Sequence, residues 1–102
     1  MKNKLKLSAR GQSCTFQIPN CCSHLTDTTV LCHLPDESGT GFMGGKSSHW
    51  IAAFGCNKCH DVIDRRNNTR AISEEDREYY MRRGMIRTWR IWIETGLLKI
   101  AN

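Results

Sequence analysis

The chain has 102 residues, 6 of them cysteine, and its 15 lysines and arginines outnumber 10 acidic residues to give a formal net charge of +5. That length predicts a single domain over residues 1–102, in which an apolar core alone gives limited stability and a bound metal would add a staple. No stretch approaches the ~18 consecutive apolar residues of a membrane span, and the basic start "MKNKLKLSARGQ" is not followed by an apolar signal core, which predicts a cytoplasmic protein with no membrane partner.

In a reducing compartment the cysteines are expected to be metal ligands or free thiols rather than disulfides. The basic balance suits a polyanionic partner, with nucleic acid the commonest candidate, although solubility accounts equally well for a charge of this size.

In chain order, "CTFQIPNCC" (14–22) offers Cys14 together with Cys21 or Cys22, and Ile18, Pro19 and Asn20 between them suit a turn that brings the chain back on itself. "TTVLCHL" (28–34) is rich in β-branched and apolar residues and predicts a strand, whose alternation puts Leu31 and His33 on one face and Val30 and Cys32 on the other. "DESGTGFMGGKSS" (36–48) carries four glycines and predicts a mobile loop. "WIAAF" (50–54) then predicts a second strand, so the two form a long-looped β-hairpin.

"GCNKCHDVIDRR" (55–66) continues as a short helix that stops at "NNT" (67–69), giving the order strand, strand, helix. The last element opens at Ser73, an N-cap followed by acidic residues that complement the helix dipole, and closes at Gly96, a natural residue just past a helix end. Met81, Met85, Trp89, Trp92 and Ile93 recur at helical spacing and predict its packed stripe, while Arg83, Arg87 and Arg90 share the opposite face and are expected to be solvated.

Three chemistries compete for Cys56, Cys59 and the adjoining His60. Covalent haem attachment takes place outside the cytosol and needs a second axial ligand, and a thioredoxin-like redox pair needs alternating βαβ structure in a longer chain. Structural zinc needs four ligands, and the upstream cysteines supply the second pair. His60 is then left over, and on a helix it faces the same way as Asp64, four residues on, while Asp61 faces elsewhere. An imidazole and a carboxylate so placed can hold a hard divalent cation with open positions.

Taken together, "VLCHLP", the glycine-rich loop and "WIAAFGCNKCHDVIDRR" resemble the prophage-encoded YbcO-like nucleases, which belong with the HNH or ββα-metal endonucleases. The resemblance runs from about Ala9 to Ile100. It implies a treble-clef zinc site built by Cys14, Cys22, Cys56 and Cys59, with Cys21 a bystander. It also implies that His33 is the general base and that His60 holds a catalytic cation, Mg²⁺ or another divalent ion. Many enzymes of this class have an acidic ligand just before the base, where this chain has Cys32; that places more of the metal binding on Asp64. His49 stands near the middle position of the motif in place of an asparagine.

"TGFMGGKS" (40–47) nearly matches a phosphate-binding loop, but its first position is Thr40 and the flanking strand and helix that the motif requires are not well formed, so nucleotide binding is rejected. The expected protein is therefore α+β, a zinc-stapled treble-clef ββα-metal core with a C-terminal amphipathic helix. Its expected activity is metal-dependent hydrolysis of DNA, with Lys58, Arg65 and Arg66 on the phosphate backbone. A non-catalytic zinc-bound DNA- or protein-binding module is the main alternative, and a recombination accessory that cuts only with a phage or host partner is the third.

Overall fold

The computed structural model describes residues 4–35, 49–65 and 72–101. The expectations for the glycine-rich stretch 36–48, for Arg66 and for the helix stop at 67–69 lie outside them. In order come α1 (Lys4–Leu7), a 3-10 turn (Thr26–Thr28), β1 (Val30–His33), β2 (Ala52–Gly55), α2 (Asn57–Ile63) and α3 (Glu74–Thr95). This is a small α+β arrangement around one antiparallel pair of strands, with Leu31 opposite Phe54 and His33 opposite Ala52. Among the described residues no helix is long and apolar enough to cross a membrane.

Both ends of α3 follow the sequence signals. The Ser73 hydroxyl accepts from the Asp76 N–H at 3.1 Å, and Gly96, at φ 83°, turns the chain out of the helix while Leu97 N–H bonds back to the Trp92 carbonyl at 2.8 Å. Only a residue tolerant of left-handed backbone serves well there.

The packed seam of α3 differs from the expected one. Its buried residues are Gly84, Thr88 and Trp92, whereas Met81, Met85 and Trp89 flank them and Ile93 is 40 % exposed. The reason is the edge of β2 that pairs with no strand among the described residues. A strand with only one neighbour leaves polar backbone groups unpaired on its other side, and Thr88 Oγ1 accepts the Phe54 N–H at 3.0 Å while Thr15 donates both its N–H (2.8 Å) and its hydroxyl (2.7 Å) to the Phe54 carbonyl. A small residue and a hydroxyl let the helix approach that edge; a continuous stripe of large side chains would hold it away.

The arginine face is also not simply solvated. Arg83 donates to the carbonyls of Phe16 (2.5 Å) and Gln17 (3.3 Å), and Arg87 to the Thr15 carbonyl (3.2 Å) and the Gln17 side chain (3.3 Å). Arg87 nevertheless stays exposed, as does Arg90, with 80 % of its side chain in solvent. Arg83 and Arg87 thus clamp α3 onto the segment that carries Cys14.

Strand β1 is covered on both faces at its centre. Leu31 joins Ala52, Phe54 and Trp92 in one buried cluster, and Cys32 joins Phe16, Ala53, Cys59, Val62 and Ile63 in another. The alternation is as expected, but Val30, at 48 % exposure, lies at the strand's open end. The basic N-terminal segment, for which the sequence predicted no element, forms α1, whose residue Leu5 packs on the Trp92 cluster.

A four-cysteine cluster beside a histidine pair

Four cysteines meet where the two halves of the fold touch. Thr15, tied to Phe54, holds Cys14 beside β2. A tight turn, in which the N–H groups of Cys21 (3.1 Å) and Cys22 (2.9 Å) both bond to the Ile18 carbonyl, delivers Cys22. Asn20 at φ 64° makes that turn possible, as asparagine tolerates the left-handed region better than most residues. Cys56 is the N-cap of α2, its sulfur accepting the Cys59 N–H at 3.4 Å, and Cys59 lies in the first turn.

The sulfurs of Cys14, Cys22, Cys56 and Cys59 all lie within 4.8 Å of one another. Four thiolates around zinc at ~2.3 Å stand ~3.8 Å apart, and Cys56 Sγ to Cys22 Sγ is 3.8 Å. Backbone N–H groups of Ser23 and His24 approach the sulfurs of Cys56 and Cys22 at 3.4 Å each, which favours thiolate. The hydrogen bond with Cys59 pulls the Cys14 thiol down to about 5 and pushes Cys59 up, while burial raises Cys22 to about 11. At Cys56 burial acts upward but is outweighed by the N–H groups of Cys59 and Ser23. Four sulfurs this close cannot all ionise unless a cation neutralises them, so the donor set fits a structural soft-metal site. Cys21 is half-buried beside the cluster and takes no part in it.

A second group lies at the end of β1 and on α2. His33 faces solvent, and its Nε2 is 2.9 Å from His49 Nδ1. On α2, His60 Nε2 is 3.0 Å from Asp64 Oδ2, with side chains 17 % and 33 % exposed. The i, i+4 placement read from the sequence is therefore a contact. Partial burial, then electrostatic interaction with His49, Lys6 and His60, hold His33 below its ordinary 6.5. Lys6, unremarkable in the sequence, bears on this histidine because α1 packs against β1.

Of the residues expected on a phosphate backbone, Lys58 is exposed, whereas Arg65 donates to Glu74 at 2.6 Å and ties the end of α2 to the start of α3. Arg65 adopts φ 53°, a left-handed conformation that ends α2 abruptly.

A two-stranded sheet, a short helix capped by the second cysteine pair and a four-sulfur cluster define a small α+β protein with a tetracysteine metal-type centre. Residues 3–97 match the family described as "Putative nuclease YbcO", and the chain belongs to that family. Relatives with that description from Escherichia coli (strain K12) and Enterobacteria phage 82 are each 36 % identical over 95 residues, covering 93 % of this chain and 96 % of theirs. A solved structure described as "Structure of a putative bacteriophage protein from Escherichia coli str. K-12 substr. MG1655" is similar with a TM-score of 0.74 and 31 % identity, covering 89 % of this chain and 98 % of that one.

Proposed function

We propose that the chain is a metal-dependent DNA endonuclease of the HNH type, a treble-clef zinc protein in which Cys14, Cys22, Cys56 and Cys59 hold structural zinc. The observation that carries the proposal is the pairing of His33 with His49 at 2.9 Å, at a strand end open to water. The names of the relatives point the same way.

His33 is the proposed general base. When it donates from Nε2 to His49 Nδ1, its lone pair is left on Nδ1, where it can take the proton of an attacking water. His49 thereby fixes the tautomer, the role we assign it. His60 and Asp64 would hold a divalent cation, Mg²⁺ by preference, with water and phosphate oxygens completing the shell. Such an ion supplies polarisation of the scissile phosphate and charge stabilisation at the leaving oxygen. Lys58 is placed to meet the DNA backbone.

A non-catalytic zinc-bound DNA- or protein-binding module is the second reading, favoured by one observation: His60 Nε2 and Asp64 Oδ2 already satisfy each other at 3.0 Å.

Cleavage of plasmid DNA as a function of pH, with and without added Mg²⁺ or Mn²⁺, tests the proposal. His33 is held below 6.5 by its partial burial and by His49, Lys6 of α1 and His60 of α2, and a bound cation pushes in the same direction. A depressed imidazole stays neutral to lower pH, so the acid limb of the rate should fall below pH 6.5 and cutting should need the added cation. Cutting without a divalent ion would count against the cation on His60 and Asp64, and an acid limb above pH 6.5 would count against His33 as the base.

A further inference from the structure

A groove of about 380 Å³ lies between α1 and β1, lined by Lys6, Leu7, Arg10, Thr29, Val30 and Leu31. Its walls combine three features. Leu7 and Val30 leave 38 % and 48 % of their surface open, an apolar floor with nothing from the described residues over it. Lys6 and Arg10 are exposed cations on α1 and the turn after it. Thr29 is only 5 % exposed, yet its Oγ1 finds no hydrogen-bond partner among the described residues. A buried hydroxyl left unpaired is costly, and a native protein that keeps one usually satisfies it with something bound.

The groove adjoins the histidine site. Leu31 in its wall and His33 are two residues apart on the same face of β1, about 7 Å at ~3.3 Å per residue, and Lys6, which lines the groove, also interacts with His33. A volume of this size suits one small ligand. Cations beside an apolar floor match a unit with a phosphate at one end and a sugar and base at the other. A duplex keeps its base faces stacked, so a base can meet such a floor only when it is out of the stack.

We propose that this groove takes one unpaired nucleotide of the DNA strand flanking the scissile phosphate, its phosphate on Lys6 and Arg10, its sugar and base over Leu7 and Val30, and a polar group of the nucleotide on the Thr29 hydroxyl. The inference rests on the nuclease reading above and adds a preference for unpaired DNA.

Binding is measured by fluorescence anisotropy on the zinc-loaded full chain, with no added Mg²⁺ or Mn²⁺, using a labelled single-stranded oligonucleotide and the blunt duplex of the same sequence. The wild type should favour the single strand. Lys6→Ala with Arg10→Ala should weaken that binding about ten-fold and lower the slope of log K against log salt by about 1.4, since each single-strand phosphate contact contributes ~0.7. Thr29→Val keeps the shape and removes the unpaired hydroxyl. It should bind about three-fold more weakly while melting no lower than wild type, whereas a merely structural threonine would lose stability and leave binding alone.

Wild-type affinity in these variants, a preference for the blunt duplex, or binding of neither DNA would overturn the proposal. The first of these is also the outcome expected if an acidic protein segment or a second copy of the chain fills the groove. Plasmid cutting by wild type against His33→Ala reports the nuclease reading separately, so a failed groove with retained cutting leaves that reading standing.

Discussion

Cys56→Ser should lose the proposed zinc and unfold, while Cys21→Ser should keep both metal and melting temperature. Cys56 is fully buried, caps α2, accepts N–H groups from Ser23 and Cys59, and lies 3.8 Å from the Cys22 sulfur. It therefore joins β2, α2 and the turn that carries Cys22 at one atom. A serine oxygen is a poor ligand for a soft site and sits too short to reach. Structural zinc in small domains contributes an apparent ~10–16 kcal/mol, which matches or exceeds the ~5–15 kcal/mol of net stability that domains possess. Without the ion, the remaining thiols are left crowded with nothing to neutralise them. Zinc per chain by atomic emission and thermal melts by circular dichroism are the readouts. A Cys56→Ser protein that retained zinc and its melting temperature would remove the metal staple from this account.

Gly84→Ala should destabilise the protein, although alanine is ordinarily the better helix former by ~1 kcal/mol. A Cβ at Gly84 would stand 2.6 Å from Phe16 Cδ1 and 3.2 Å from Ala53 Cβ, and one at Gly55 would stand 2.5 Å from Phe16 Cε2. The Phe16 ring is fully buried between β2 and α3, with a glycine on each side, so it has no direction in which to yield. Overpacking of this kind costs about 1–3 kcal/mol, which outweighs the helix propensity and lowers the melting temperature by several degrees, at ~4–8 °C per kcal/mol for a domain near this size. Because Phe16 follows Cys14 by two residues, the displaced ring should also loosen zinc retention under a chelator. A melting temperature raised by Gly84→Ala would show that α3 does not press on Phe16.

These two sites mark how far the sequence could be read. Cys56 and Cys59 were legible because a metal dictates ligand type and spacing locally, and the ends of α3 were legible because Ser73 and Gly96 act within one turn. The His60–Asp64 contact followed from helical geometry alone. Long-range packing was not legible in the same way. Hydrophobic periodicity pointed to Met81, Met85 and Trp89, but the edge of β2 asks for a hydroxyl and Phe16 asks for a space, and Thr88 and Gly84 meet those needs without looking apolar. Arg83 and Arg87 resembled a solvated face because nothing local announces that the Thr15, Phe16 and Gln17 carbonyls, about seventy residues away in sequence, lie within reach.

Lys6 was missed for the same reason. Its importance lies in the neighbour that α1 finds across β1, not in its own surroundings in the chain. His49 was placed near the histidine site by its position before β2, and its contact with His33 depends on how the strand pair aligns the two ends, with His33 opposite Ala52.

Cleavage of supercoiled, linear and single-stranded DNA in Mg²⁺ or Mn²⁺, comparing wild type with His33→Ala at matched zinc content, tests the proposed catalytic role most directly. His33 is solvent-facing, so its loss should leave the fold and DNA binding intact while the rate falls by about 10²–10⁴, the usual contribution of a positioned general base. Equal cutting by the two proteins would contradict His33 as the base of a nuclease, and no cutting by either would favour the zinc-bound binding module or an accessory that cuts only with a partner.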